Sequence, residues 1–268
     1  MNRSKRDTPS WKDWSTLVVA LRQRTTISSA ELSDLVSQHT DVSANYALRR
    51  LQREGVLGKM PGGRKAVYLV AKTGSTSFIK DPVEAAQAIC GADVLFGYGT
   101  ALFLHGLSRY GRLTETYVVG RQAARQQEME GLVVRTIKSP LRADVGVASQ
   151  QYQQRLIRVT DLERTLIDCV HRPKYAQGWE NVVHALHRAS GVKPEKMIAY
   201  VKRYRTPSLV AKVGLLLEHF GKKWKVATEE LGSLRSYLPR EPVKFGRQLG
   251  GTLHKEWKLY VPEGVFDE

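Results

Sequence analysis

Cysteine is nearly absent: 268 residues contain two, Cys90 and Cys169. Two thiols in no recognisable spacing support neither a disulfide framework nor a metal framework. Both lie in apolar surroundings, so they are expected to be buried free thiols in a reducing cytoplasm. Long apolar runs are absent as well. No stretch approaches the roughly 18–20 residues that a membrane-spanning helix needs. The first ten residues, MNRSKRDTPS, carry basic side chains with no apolar region behind them, unlike a secretory signal. Acidic residues are scarce, with 26 Asp and Glu against 42 Lys and Arg, a net charge of +16. That excess draws a chain to polyanions. Nucleic acid is the leading partner class, and an anionic membrane is a weak second because nothing in the chain would insert.

What is present suits a soluble globular protein. The hydrophobic content is 42%, enough to bury a core without disulfide or metal staples. The length suits about two domains at roughly 100–200 residues each. Residues 1–80 hold 14 Lys/Arg against 6 Asp/Glu, and residues 81–268 hold 28 against 20. The same excess of +8 therefore sits on less than half the length in the amino-terminal part.

Trp11 to Arg22 reads as a helix, with Trp14, Leu17, Val18 and Leu21 on one stripe. Ser28 or Ser29 is expected to cap a second helix running to about Val36, with Leu32, Leu35 and Val36 inward. A turn over 37–42 follows. Ser43 then caps a third helix, Ala44 to Glu54, which Gly55 ends. Ala44, Ala47, Leu48 and Leu51 fall at i, i+3, i+4 and i+7 and form its buried face. Asn45, Tyr46, Arg49, Arg50, Gln52 and Arg53 are left outside. That face carries three guanidinium groups and no carboxylate. Arg pairs with guanine edges or phosphates, and Asn or Gln with adenine, so the face suits a major groove. Val56 to Met60 and Lys65 to Val70 flank a Pro-Gly-Gly turn, a hairpin signal. Lys59, Arg64 and Lys65 cluster at its tip. Helix, helix, capped basic helix and basic hairpin together predict a winged helix-turn-helix over residues 1–76 that binds double-stranded DNA. A solvated helix face and a protein-interaction module are the bland alternatives. The arm Asn2 to Arg6 is either a minor-groove contact or a disordered tail.

Lys72 to Lys80 reads as a linker, and residues 81–268 as a mixed α+β domain. Asp81-Pro82 starts a helix over 82–90. Val94 to Leu107 reads as one apolar helix closed by glycine. Strands are expected at 116–119, 132–137, 156–159 and 257–261, with a polar Arg/Gln-rich connection between the first two. Thr160-Asp161-Leu162-Glu163 matches a capping box opening a helix to about Val170. Helices follow at 179–189, 194–204, 207–220 and 227–236. Strands come mainly before helices, which favours α+β over a doubly wound sheet. Lys202, Arg203 and Arg205, with Lys222, Lys223 and Lys225, form a possible second basic surface, or else solvated helix ends.

Catalytic signatures are missing. There is no Gly-rich phosphate loop followed by Lys-Ser/Thr and no Gly-x-Ser-x-Gly elbow. His184 and His187 lie three apart without a third ligand. Glu256-Trp257-Lys258 matches half of a nuclease signature, for which Asp93, Asp144 and Asp168 would be acidic partners by residue type only. The expectation is a non-enzyme without cofactor or metal.

Three stretches carry a family resemblance: Tyr98-Gly99-Thr100-Ala101-Leu102-Phe103-Leu104-His105-Gly106-Leu107, Thr116-Tyr117-Val118-Val119, and Val159-Thr160-Asp161-Leu162-Glu163-Arg164-Thr165-Leu166-Ile167-Asp168. The later stretches His171-Arg172-Pro173, Trp179 to Val183 and Lys212 to Glu218 fit the same pattern. The chain resembles the AbiEi-type antitoxins of abortive-infection systems, transcriptional regulators of viral defence, over nearly its whole length. Members often show Gly-Gly where this chain has Gln177-Gly178. The resemblance implies an amino-terminal domain that binds inverted repeats in its own promoter and represses the operon. It further implies antitoxic activity in the carboxy-terminal domain and a nucleotidyltransferase-like toxin as partner, opposed without a necessary stable complex. The alternatives are a winged-helix regulator whose carboxy-terminal domain senses a ligand or protein and, trailing, a DNA-targeted nuclease.

Overall fold

A computed structural model of the chain describes residues 11–24, 26–59, 67–71, 81–120, 125–129, 131–142, 144–246 and 251–267. The fold class is α+β, with helices and, among the described residues, three separate sheets. The chain forms two compact units: Met1–Ala92 with Gln126–Val134, and Asp93–Arg125 with Arg135–Glu268. The arm at 2–6 and the linker at 72–80 lie outside the described residues. Among those described, no helix is long and apolar enough to cross a membrane.

The first unit opens with α1 (Trp11–Arg22), β1 (Thr26–Ser28), α2 (Ser29–His39) and α3 (Ala44–Arg53). Ser28 is the N-cap of α2: its Oγ accepts from the Glu31 backbone N–H, and Glu31 accepts from the Ser28 N–H at 2.8 Å. This reciprocal pair satisfies two otherwise orphaned donors. It also holds the Glu31 carboxyl below the usual carboxylate range, chiefly through the Ser28 backbone N–H. The helix runs three residues past the expected end at Val36, because Thr40 closes it, its N–H and Oγ1 both donating to the Val36 carbonyl. The chain then continues through β2 (Leu57–Lys59), β3 (Val67–Val70) and α4 (Pro82–Cys90). The strands form an antiparallel sheet in the order β1-β3-β2, with Ile27 opposite Tyr68 and Gly58 opposite Leu69. Trp14, Leu17, Leu21, Ile27, Leu32, Val36, Ala47, Leu51 and Leu57 fill one core. Asp81 caps α4, accepting from the Glu84 N–H at 2.8 Å, with Pro82 in the first turn as expected. Cys90 is only half-buried, whereas Cys169 is buried and its thiol is pushed well up by that burial.

The second sheet has six strands in the order β6-β7-β5-β4-β9-β8. They are β4 (Leu95–Phe96), β5 (Glu115–Gly120), β6 (Arg125–Met129), β7 (Leu132–Lys138), β8 (Val147–Tyr152) and β9 (Arg155–Thr160). Three expectations are corrected here. The apolar run 94–107 is a strand and then a helix, α5 (Tyr98–Leu104), because its first residues pair with β5 on one side and β9 on the other. The polar connection after β5 contains a strand of its own, β6. The helix α6 (Leu162–His171) is capped by Asp161, not Thr160: Asp161 Oδ1 accepts from the Arg164 N–H at 2.9 Å. Thr160 instead bonds Thr165 hydroxyl to hydroxyl at 2.7 Å, and Glu163 reaches away to accept from the Lys193 N–H.

A helical layer follows: α7 (Trp179–Arg188), α8 (Pro194–Tyr204), α9 (Pro207–His219), α10 (Gly221–Trp224) and α11 (Thr228–Gly232). The last is much shorter than the helix expected over 227–236, which gives way to a 3-10 turn at Arg235–Tyr237. A third sheet closes the chain, with β10 (Val243–Lys244) parallel to β12 (Leu259–Val261) and β11 (Thr252–His254) antiparallel to it. The final strand thus starts at Leu259, two residues later than expected, because 255–258 form the turn that joins β11 to β12, closed by Lys258 at φ 49°.

The three stretches of the family resemblance come together in this unit. Thr100 Oγ1 accepts from the Tyr117 N–H at 2.7 Å, and the His105 ring meets the Thr160 carbonyl at 2.8 Å. Gly99 sits so close to the Tyr175 carbonyl that a side chain there would meet backbone at 2.9 Å. Within α6, Arg164 and Asp168 are completely buried and paired at 3.4 Å. Tyr204 donates to Asp168 at 2.5 Å, while Arg164 donates to the carbonyls of Val145 and Arg142 and to Ser139 Oγ. Burial pushes the Asp168 carboxyl up, and Arg164 pulls it back.

In α9, Gly214 lies directly beneath the Trp257 ring, and any Cβ there would overlap the ring. Trp257 is fully buried and donates its ring N–H to Glu218. Gly214→Ala is therefore expected to destabilise the protein by about 1–3 kcal/mol, the usual cost of overpacking. Differential scanning calorimetry checks this. An unchanged melting temperature would show that the ring shifts freely.

Candidate nucleic-acid interface

The candidate interface is built on α3. Ser43, in extended conformation, accepts from the Tyr46 N–H at 3.3 Å and so starts the helix where the sequence indicates. Ser43 thus serves as a cap that fixes the helix start. Ala47 and Leu51 are fully buried, and Leu48 packs against the same core. Those three inward positions fix the rotation of the helix. Asn45, Tyr46, Arg49 and Arg53 face outward and are exposed, and Gln52 is half-buried. Tyr46 keeps 47% of its surface exposed, a large value for an aromatic ring. Among the described residues, Asn45, Arg49 and Arg53 carry no side-chain hydrogen bond or ion pair to protein. A ten-residue helix is about 15 Å long, comparable to the roughly 12 Å width of a major groove.

Arg50 departs from the expectation. Its guanidinium stacks over the Trp14 ring at 4.1 Å and donates from Nε to Glu54 at 2.7 Å. The same carboxylate accepts from the Trp14 ring N–H at 3.1 Å. Only 16% of the Arg50 side chain is exposed, and the Glu54 hydrogen bond binds its proton still more firmly. Arg50 therefore ties α1 to α3 and is not part of the free face. The sequence carried one signal for this: Glu54 lies four residues after Arg50, the spacing of a helical ion pair.

The hairpin lies beside this helix in sequence. Lys59 ends β2, is exposed and sits opposite Tyr68 of β3. Arg64 and Lys65 lie outside the described residues. The other basic candidates divide. Lys202, Arg203 and Arg205 border a cleft of about 570 Å³ beside the α8–α9 turn, where Lys202 donates to Ser233 at 3.0 Å and covers the Tyr237 ring at 5.4 Å. Lys223 is committed elsewhere, capping α7 by donating to the His187 and Leu186 carbonyls. Lys222 and Lys225 are exposed on that same turn. The possible second basic surface thus loses Lys223 to a structural role.

Most of the residues considered for nuclease or metal chemistry have other partners, and Asp93 contributes a backbone carbonyl to Arg158 at 3.1 Å. Glu256 pairs with Arg235, Lys258 donates to the Arg240 carbonyl, and Asp144 pairs with Arg142. Asp168 is enclosed with Arg164 and Tyr204. His187 meets the Phe266 carbonyl at 2.7 Å, so it anchors the end of the chain. Among the described residues no cluster of three or more His, Cys, Asp and Glu is placed to hold a metal ion.

No protein-family model matches the sequence, and no curated protein matches it. Among solved structures, the chain is similar to the RV2827C protein from Mycobacterium tuberculosis, with a TM-score of 0.66 and 17% identity over 92% of this chain and 90% of that one. At that identity the likeness is one of fold: almost the whole α+β architecture is shared.

The division of labour on α3 has a direct consequence. Arg50→Ala removes a cation–π contact worth about 0.5–2 kcal/mol and leaves Glu54 with the Trp14 ring N–H but no cation. Amide exchange in α1 is expected to speed up several-fold. Arg49→Ala and Arg53→Ala should each stay within about 0.5 kcal/mol of the parent, as surface changes do. Hydrogen exchange followed residue by residue separates the two classes. Equal effects from all three would dissolve the distinction.

Proposed function

We propose that the chain is a DNA-binding antitoxin and autorepressor of an AbiE-like toxin–antitoxin operon, acting in the cytoplasm, whose first unit is a winged helix-turn-helix. The observation that carries the DNA-binding half is the exposed outer face of α3. Asn45, Tyr46, Arg49 and Arg53 stand exposed on a helix whose opposite side is locked in a core. That helix follows a short capped turn after α2 and precedes the antiparallel pair β2 and β3. In this reading α3 lies in the major groove. Asn45 and one arginine read base edges, the other arginine takes a phosphate, and Tyr46 packs on the sugar–phosphate edge. Lys59, with Arg64 and Lys65, adds phosphate contacts from the wing. Two copies on an inverted-repeat operator would place their α3 helices about one helical turn of DNA apart, or a multiple of it.

The antitoxin half rests on the family resemblance, whose stretches around Tyr98–Leu107 and Val159–Asp168 lie in the second unit. The toxin, nucleotidyltransferase-like and encoded beside this gene, is then opposed by that unit, without a stable complex being necessary.

Two readouts of one full-length variant test both halves. Arg49→Ala/Arg53→Ala should weaken binding to a duplex from its own promoter. The slope of log affinity against log salt should fall by about one for each phosphate contact removed. The same variant, with the toxin expressed from an unrelated promoter, should still rescue growth. Parent-like DNA binding would refute the assigned face. Loss of rescue with the fold intact would refute the separate antitoxic role of the second unit.

A further inference from the structure

A cleft of about 680 Å³ opens in the second unit between the end of α6, the start of α7 and the third sheet. Its charged lining is of one sign: Arg172, Lys174, Lys212 and Lys244, with no carboxylate among the lining residues. Lys174 and Lys244 are exposed at the rim, and Arg172 and Lys212 are half-buried deeper in. Arg172 gives one N–H to the Lys138 carbonyl at 3.0 Å, which fixes its position and leaves most of its five donors free. Lys212 has no hydrogen bond or ion pair among the described residues. Its ammonium lies 5.3 Å from the centre of the Phe245 ring.

The rest of the lining is flat and apolar. Trp179 and Phe245 meet edge to face at 5.0 Å. The Trp179 ring N–H is already given to the Val265 carbonyl at 2.7 Å, so the ring offers hydrocarbon to the cleft. His171 is held neutral, its pKa lowered to about 4 by burial and by Arg172 and Lys212. The cleft therefore offers converging cations beside aromatic walls.

We propose that this cleft binds a nucleotide, with its phosphates among Lys212, Arg172, Lys174 and Lys244 and its base against the partly exposed Trp179 ring that Phe245 backs. Four cations with no acidic counterpart exceed what a single carboxylate would neutralise, and a phosphate chain matches them in charge and in acceptor number. The volume suits a ligand of that size. Lys212 is the determinant. Burial alone depresses its pKa, so the site holds a desolvated ammonium that a phosphate oxygen would satisfy. The inference is independent of DNA binding by α3.

Isothermal titration calorimetry of the full-length protein with ATP, AMP, adenosine and inorganic phosphate tests it. ATP is expected to bind one to one, AMP more weakly, and adenosine and phosphate each at least tenfold more weakly than AMP. Lys212→Met should lower ATP affinity at least tenfold without lowering the melting temperature. Lys174→Ser/Lys244→Ser, at the exposed rim, should lower it severalfold and supplies the reading if Lys212→Met fails to fold. Arg49→Ala/Arg53→Ala should leave it unchanged. The proposal is overturned if no nucleotide binds, if the folded cleft variants bind ATP as the parent does, if the α3 variant loses ATP binding, or if adenosine or phosphate alone binds as tightly as AMP.

Discussion

The amino-terminal unit depends on one contact between three side chains. Arg50 lies over the Trp14 ring while Glu54 bonds both of them. Trp14 is buried in the core beside Leu17 and Leu21, so this contact locks α1 to the last two turns of α3. It turns the most inward of the three arginines into a structural residue and leaves Arg49 and Arg53 as the exposed arginines of the outer face. The partly buried geometry matters. A buried ring face beside the carboxylate holds the guanidinium better than an isolated surface ion pair, which is worth about 0–1 kcal/mol.

The second unit is organised around a different buried charge. Arg164 and Asp168 share one helix face with no solvent access, and the arginine collects carbonyls from the turn between β7 and β8. Removing one partner of such a pair is costly, because the other is left charged and enclosed. Asp161 caps the same helix and accepts from the Tyr200 hydroxyl at 2.8 Å. The residues of α6 that carry the family resemblance thus serve the framework, whereas the later stretches of that resemblance border the cationic cleft through His171, Arg172, Pro173, Trp179 and Lys212.

Much of this was legible in the sequence wherever local chemistry and periodicity agreed. Ser43 and the Asp81-Pro82 pair mark helix starts with a side-chain acceptor or a preset φ, and both helices begin there. Ala47, Leu48 and Leu51 gave the inward face of α3 by spacing alone. The failures have physical causes. Leu95 and Phe96 form a two-residue strand whose existence depends wholly on partners distant in sequence, and nothing local distinguishes it from a helix start. Thr160 and Asp161 are both good caps one residue apart, and tertiary bonding of Thr160 to Thr165 decided between them. Arg50 was assigned by face, but the Trp14 ring that captures it lies 36 positions earlier. The cationic cleft draws on segments from Val170 to Val265, an arrangement that helical or strand spacing does not reveal.

In the proposed reading, α3 lies in the major groove of a symmetric operator. Methylation interference on the chain's own promoter tests this most directly, because methylation of guanine N7 blocks the atom an arginine would engage there. Interference is expected at guanines in two symmetric half-sites, with Arg49→Ala or Arg53→Ala abolishing it at one position in each. Tight binding that N7 methylation does not disturb, or interference without two-fold symmetry, would contradict it.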